Sequence, residues 1–450
     1  MRLEKDGQFV ELWLEQPPED GEHHWPELYE RSSSRPEPVV LEARWRWAAD
    51  DELGRKLGEY LRAGWRRAHD PARELDVDGE PRDPALDAAL HADPADVNAA
   101  LVYADWLQQR GHPRGALIAL QHARLDKPDD EALAYEEARL FQVHDDELVG
   151  PLGRGKSLEL AWERGFVRGA RIGRDDGDDG PQALWETLRH PSTRFLRELV
   201  VGCHKFGDQN NELICDLLVH AGPRPPLRLL EIADFDQTAM DQIDISRAPI
   251  GDLSGLSEAY PRLEDVVLKG TGDVALGELR LLHARRFALR TSQLTRKTLA
   301  AIVRAPWPAL EELELWFGDP ADHYGAECEL ADAVELLGCE LPALRSLALR
   351  NAMFSDEVVP AIVSWRGAAQ LEELDFALGT LTDAGARALA ADRHRLPKLR
   401  RLGVFECALS GDGLALLREA GFALDDRPIA PAFAWREPQQ KSGRYASVSE

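Results

Sequence analysis

Cysteine is scarce: Cys203, Cys215, Cys328, Cys339 and Cys407 are the only five in 450 residues, and no two of them have CxxC spacing. Usage this sparse and odd in number suits a reducing compartment, and it offers neither a disulfide staple nor a zinc framework. Long apolar runs are missing too. None approaches the ~18 residues that a membrane helix needs, so no transmembrane segment is expected. The opening MRLEKDGQFVELWLEQPPED carries acidic residues where a signal peptide would be apolar, so no leader is expected and the cytoplasm is the expected location. Positive charge is in deficit: 54 Lys and Arg face 80 Asp and Glu, a net −26. Such a field repels nucleic acid and anionic lipid and favours basic or neutral partners. What is present is an apolar share of 44% and a charged share of 30%, too apolar for wholesale disorder and too charged for a membrane protein. The length predicts roughly two to four domains.

Residues 1–70 stand apart as a small α+β block. FVELWLEQ reads as a strand, and VVLEARWRW alternates apolar and charged residues as a half-buried strand does. DDELGRKLGEYLRAGWRRA then places Leu53, Leu57, Tyr60, Leu61 and Trp65 at helical spacing. Two strands and a closing helix that ends in LRAGW resemble a WGR domain in outline, although the W-G-R tripeptide is absent. Some WGR modules bind nucleic acid. Here 11 Lys and Arg stand against 15 Asp and Glu over residues 2–67, so that activity is not carried over.

PARELDVDGEPRDPA, over 71–85, reads as a linker. Beyond it, Asp93-Pro94 and Asp96 supply a helix start, and Leu101, Val102, Ala104, Trp106 and Leu107 its apolar side. Gly111 ends that helix, and HPRG turns into a second one, ALIALQHARL, which gives a helical hairpin. LVYADWL (101–107) followed by RGHPRG (110–115) resembles the repeat-companion domain of bacteria, a helical module that lies beside repeat arrays. The resemblance implies no catalysis. It implies that repeats should follow.

L-x-x-L-x-L cores do follow: LRELVV, LRLLEI, LEDVVL, ARRFAL, LEELEL, LRSLAL, LEELDF and LRRLGV, starting at 196, 227, 263, 284, 310, 344, 371 and 399. Helical segments fill the gaps, among them NNELICDLLVHAG, TRKTLAAIVRA, ELADAVELL and DAGARALAADRH. A strand and a helix in every 20–35 residues or so predict an α/β leucine-rich-repeat solenoid, with parallel strands on the concave side and helices on the convex side. LTDAGARALA and LSGDGLALLREAGF resemble ribonuclease-inhibitor-like repeats. The irregular spacing over 227–284 predicts degenerate repeats. SLELAWERGFVRGARI, at 157–172, reads as a capping hairpin that turns at Arg164-Gly165. The expected layout is an α+β module (1–70), a linker (71–85), a helical module (86–143), a connecting loop and hairpin cap (144–182), the solenoid (183–424) and a tail (425–450).

Few motifs carry chemistry. GPLGRGKS (150–157) matches the letters of a phosphate-binding loop, which needs a strand before it and a helix after it. A helical pattern precedes and a hairpin follows, so an irregular loop is expected. DDGDDGPQALWE (175–186) puts Asp175, Asp179, Gly180 and Glu186 at calcium-loop positions, but Gly177 and Gln182 fall where the pattern fails, and an acidic helix-capping turn is expected. His23, His24 and His394 lack partners at metal-ligand spacing. No G-x-S-x-G occurs and no cysteine has a catalytic signature. No catalytic residue, cofactor or metal is therefore expected, and the chain reads as no enzyme.

The solenoid's concave face is more informative. Residues between the leucines point outward with period two, and parallel stacking aligns them across strands. The rows are Asp265-Val267-Lys269, Arg286-Ala288-Arg290, Glu312-Glu314-Trp316, Ser346-Ala348-Arg350, Glu373-Asp375-Ala377 and Arg401-Gly403-Phe405. Arg286 should pair with Glu312. Trp316 should lie between Arg290 and Arg350, with both guanidinium groups stacked on an exposed indole. Trp316, Arg290, Arg350, Arg286, Glu312, Glu314, Asp375 and Phe405 are thus the candidate partner-binding residues. The expectation is a protein-binding scaffold or adaptor, with bacterial signalling or defence assemblies as the analogous setting. Two readings stand beside it: a nucleotide-dependent switch at 150–157, and a nucleic-acid reader that uses Arg62, Trp65, Arg66 and Arg67.

Overall fold

The computed structural model describes residues 2–5, 8–15, 27–41, 56, 66–67, 80–153, 158–173, 180–202, 210–220, 226–234, 248–321 and 325–425. These form an α/β protein with thirteen α-helices and two sheets. Backbone contacts divide the chain into two compact units, residues 1–199 with 208–226 and residues 200–207 with 227–450.

The first unit opens with an antiparallel sheet of β1 (Arg2–Lys5), β2 (Gln8–Glu15), β3 (Glu27–Ser32), β4 (Arg35–Leu41) and β5 (Arg66–Arg67), in the order β4-β3-β2-β1-β5. Phe9–Glu15 of the expected strand FVELWLEQ lie in β2, and Gln16 lies outside the described residues. The strand expected from VVLEARWRW is described only to Leu41, as the end of β4. The closing helix expected over 50–68 lies mostly outside the described residues: Lys56 is helical, but Arg66 and Arg67 form strand β5, paired with β1, where the sequence predicts the end of that helix. Most of the linker over 71–85 also lies outside the described residues.

Four helices follow: α1 (Pro84–Ala92), α2 (Val97–Gln108), α3 (Pro113–Asp126) and α4 (Glu131–Val143). Each has its own stop and start. The carboxylates of Asp83, Asp96 and Asp130 accept from backbone N–H groups in the first turns of α1, α2 and α4. His112 caps α3, and Pro84 and Pro113 occupy first-turn positions where the missing N–H is harmless. The resemblance motif forms the core of this region. Tyr103, Ala104 and Leu107 are buried with Leu90, Ala100 and Ile118 against Phe166 and Phe195. Gly115 lets α3 cross α2 closely: a Cβ there would lie 2.5 Å from the Ala104 carbonyl oxygen and 2.8 Å from the Gln108 nitrogen. After α5 (Asp145–Leu148) come β6 (Leu158–Glu163) and β7 (Phe166–Ile172), paired antiparallel. Arg164 (φ 49) and Gly165 (φ 75) form their turn, as the sequence predicts. α6 (Gly180–Arg189) and α7 (Asn210–His220) complete the described helices here, and β8 (Glu198–Gly202) crosses the division at 199/200.

The second sheet has eleven strands and is mostly parallel, in the order β16-β15-β14-β13-β12-β11-β10-β9-β8-β7-β6. The second unit supplies β9 (Leu229–Asp234), β10 (Asp265–Lys269), β11 (Arg286–Arg290), β12 (Glu312–Gly318), β13 (Ser346–Ala352), β14 (Glu373–Asp375), β15 (Arg401–Gly403) and β16 (Leu424–Asp425). Their helices are α8 (Leu256–Ala259), α9 (Arg296–Arg304), α10 (Leu330–Leu337), α11 (Ser355–Ser364), α12 (Asp383–Ala391) and α13 (Gly411–Glu419). The L-x-x-L-x-L leucines stack in columns. Leu230, Val266, Phe287, Leu313, Leu347, Leu374, Leu402 and Leu424 stand in register, as do Ile232, Leu268, Leu289, Leu315 and Leu349. All but the partly buried Leu424 are fully enclosed, each contributing roughly 1.5–3 kcal/mol of apolar burial.

The stretch from 227 to 284 is irregular, as its spacing predicts. Between β10 and β11 no helix forms, because Gly270, Gly272 and Gly277 take positive φ values of 150°, 89° and 56°.

Candidate functional site

The outward rows of the second unit fall where period-two alternation places them. Arg286 stands opposite Glu312, Ala288 opposite Glu314, Trp316 opposite Arg350, and Ala348 opposite Asp375. The register therefore brings the predicted residues together. Their contacts differ from the expectation.

Glu314 is the hub. Arg290 donates to both its carboxylate oxygens, Nε to Oε1 at 3.0 Å and a terminal nitrogen to Oε2 at 3.1 Å. Arg350 donates to Oε1 at 2.7 Å and, with its other terminal nitrogen, to Asp375 Oδ2 at 2.6 Å. The Trp316 indole N–H also donates to Glu314 Oε1, at 2.8 Å. Burial pushes the Glu314 carboxyl up, but Arg290, Arg350 and the hydrogen bonds outweigh it and hold the pKa at about 2. Burial pulls the Arg350 pKa down, yet Glu314 and Asp375 more than compensate, and it is raised.

The expected exposed indole with two stacked guanidinium groups is not what forms. Trp316 is only 3% exposed. Both arginines turn to Glu314, because a charge-assisted hydrogen bond in a dry setting is stronger than a contact with a ring face. Phe405 is half-buried beyond β15, where its carbonyl accepts from Leu378 N at 2.8 Å, and it joins no part of the Glu314 network.

Arg286 and Glu312 pair as expected, at 3.6 Å, in the row at the start of the strands. Burial pushes the Glu312 carboxyl up against the pull of Arg286. This row belongs to a longer ladder that the period-two rows alone do not reveal. The residues at the start of successive strands alternate in sign: Arg228, then Glu264 and Asp265, Arg285 and Arg286, Glu311 and Glu312, Arg345, Glu372 and Glu373, and Arg400 and Arg401. They pair from strand to strand: Arg228–Glu264 at 3.0 Å, Arg285–Glu311 at 3.1 Å, Arg345–Glu372 at 3.4 Å, Arg400–Glu372 at 3.7 Å and Arg401 with Glu373. The signal is present in the sequence, since in the seven cores from 227 onward the letters after the leading Leu or Ala run R, ED, RR, EE, R, EE, RR.

A second buried ion cluster lies in the first unit. Arg114 holds Glu80 bidentately, at 2.8 Å twice, and donates to the Gly165 carbonyl at 2.5 Å and to Ser192 Oγ at 2.9 Å. Arg194 donates to Glu80 at 2.8 Å and to the Tyr103 hydroxyl at 2.8 Å, and that hydroxyl donates to Asp87 at 2.7 Å. Burial raises the Glu80 carboxyl, but the two arginines hold it at about 2. Arg114 thus ties α3 to the β6–β7 turn, and Tyr103 ties α2 to Asp87 of α1 and to Arg194.

The other motifs resolve in part. Residues 150–153 of the phosphate-loop-like stretch form a single 3₁₀ turn, 154–157 lie outside the described residues, and a strand rather than a helix comes next. Among the described residues no helix N-terminus of the kind a phosphate would need is formed there. Of the acidic loop, 175–179 lie outside the described residues and Gly180 begins α6. Arg62, Trp65, His23, His24, Cys203 and the tail over 426–450 also lie outside them. Among the described residues no group of His, Cys, Asp and Glu is placed to hold a metal ion, and no helix is long and apolar enough to cross a membrane.

No family model matches the chain, and none of the curated proteins compared with it matches. In fold it is similar to a protein from Bacteroides fragilis of known crystal structure, at 14% identity and a TM-score of 0.50, over 94% of this chain and 95% of that one. That likeness concerns the fold alone.

Proposed function

We propose that the chain is a non-enzymatic scaffold: a leucine-rich-repeat array of ribonuclease-inhibitor-like type that binds a partner protein on the outward face of its strands. The observation that carries this reading is the Glu314 network with the charged row beside it, which fixes charged side chains across adjacent strands. Stacked repeats leave an extended surface suited to protein recognition. Side chains already held by neighbours lose little freedom on binding, so their charges are pre-organised.

The buried Trp316, Arg290 and Glu314 and the partly buried Arg350 and Asp375 form the floor of this site. Arg286, Glu312, Glu373 and Arg401 form its accessible contacts, with Glu312 58% exposed at its side chain, and Phe405 supplies a half-buried apolar edge. With a net charge of −26, basic or neutral partner surfaces are favoured.

The test is affinity capture from native cells followed by mass spectrometry. It compares the wild type, a Glu312→Lys and Glu373→Lys double variant, and Arg387→Ala as a control on α12. A specific protein should be captured by the wild type and by Arg387→Ala, and lost with the double variant. The reverse pattern would move the partner to the helices and sink the strand-face reading.

A further inference from the structure

Helix α4 buries none of its side chains. A helix of that length is marginal in water without tertiary support, and its support here is one-sided. Phe141 meets Trp162 edge-on, with ring centroids 4.9 Å apart, and Glu137 accepts from Gln121 at 2.7 Å and from Arg124. Tyr135 and Val143 remain 69% and 63% exposed. Alongside runs an open cleft of about 520 Å³, with Ala116, Ala119, Leu120 and Leu140 as its apolar wall and His112 and His144 as polar members. That volume falls within the range of about 300–1,000 Å³ common for binding clefts.

On its α4 side the cleft is bordered by mostly negative charge, whereas the α2–α3 side carries Arg110, Arg124 and Lys127, with Arg124 paired to Glu137. Residues 129–147 carry eight Asp and Glu against a single Arg. Glu147 reaches His144 at 2.6 Å, whereas the exposed Asp145 and Asp146 make no ion pair among the described residues.

We propose that this cleft docks a cationic amphipathic helix of a partner protein. Leucine-sized side chains seat between α3 and α4, and lysine or arginine on the flanks meets Asp145 and Asp146. Helix-in-groove recognition needs this combination of an apolar slot and complementary charge. The surface is separate from the strand face, so it stands or falls independently of the scaffold reading.

The experiment uses the full chain and a fluorescein-labelled amphipathic leucine–lysine peptide, with lysine–serine and leucine–glutamate peptides as controls, read by fluorescence anisotropy. The leucine–lysine peptide should bind best. Ala119→Trp, which fills the cleft, should lower affinity about tenfold or more. Asp145→Asn with Asp146→Asn should lower it about threefold and flatten its salt dependence. Hydrogen exchange on the unaltered protein, which needs no variant to fold, should show peptide-dependent protection at 113–120 and 133–144. Equal binding of the lysine–serine peptide, indifference to Ala119→Trp, protection confined to other segments, or sedimentation showing two copies of the chain joined through this cleft would each overturn the proposal.

Discussion

Glu314 accepts from Arg290, Arg350 and Trp316 at once, so removing its charge strands two enclosed guanidinium groups. Glu314→Gln should therefore cost about 3–5 kcal/mol in denaturant unfolding. The pH dependence has a definite sign. A carboxyl held at about 2 against an ordinary 4.5 contributes stability that is full above about 4.5 and is lost as pH falls toward 2. The gap between wild type and Glu314→Gln should hold steady above that window and close below it. A gap that widens on acidification would rule out this account. Trp316→Ala should act on the fold rather than on recognition, at about 3–5 kcal/mol, because the ring is enclosed. Equilibrium unfolding with and without the captured partner separates the two effects. The sequence puts all these residues in the correct rows, since row membership needs only the leucine register and period two. It does not show that the arginines choose Glu314 over the indole, because that depends on depth.

Elements whose capping and periodicity agree are legible in the sequence. The spans of α2, α7, α9, α10 and α12 follow their apolar spacing, with Asp96, Thr295 and Thr382 as side-chain caps of α2, α9 and α12. α11 is hidden there. It has no side-chain hydrogen bond at its N-cap, Phe354, and Pro360 inside it reads as a breaker. What holds it is non-local: Asp356 accepts from Thr382 N and Thr382 Oγ1 and from Gly385 N at the start of α12. The ties made by Arg114 are equally illegible, since Glu80, Gly165 and Ser192 are remote in sequence. Where α3 crosses α2, Gly115→Ala should force the backbones apart and cost about 1–3 kcal/mol. Thermal unfolding followed by circular dichroism checks this, and an unchanged midpoint would mean that the crossing has slack.

Across the molecule, stability rests on columns that extend over many strands, so a gap in the middle is felt on both sides. Leu313→Ala, between Phe287 and Leu347, should cost about 2–5 kcal/mol, and a wild-type denaturant midpoint would show that the column is not continuous. The sign-alternating ladder at the strand starts carries a different consequence, one of parity. Excising 311–344, one strand with its helix, would set Arg285 and Arg286 beside Arg345. Excising 311–371, two such pairs, would set them beside Glu372 and Glu373. Like charges directly opposite destabilise where a matched pair stabilises. Added salt should therefore stabilise the shorter excision and leave the longer one unchanged or slightly weaker, as thermal unfolding over a salt series would show. A chain built this way can grow or shrink by evens more readily than by odds, so its length carries the imprint of its charge order.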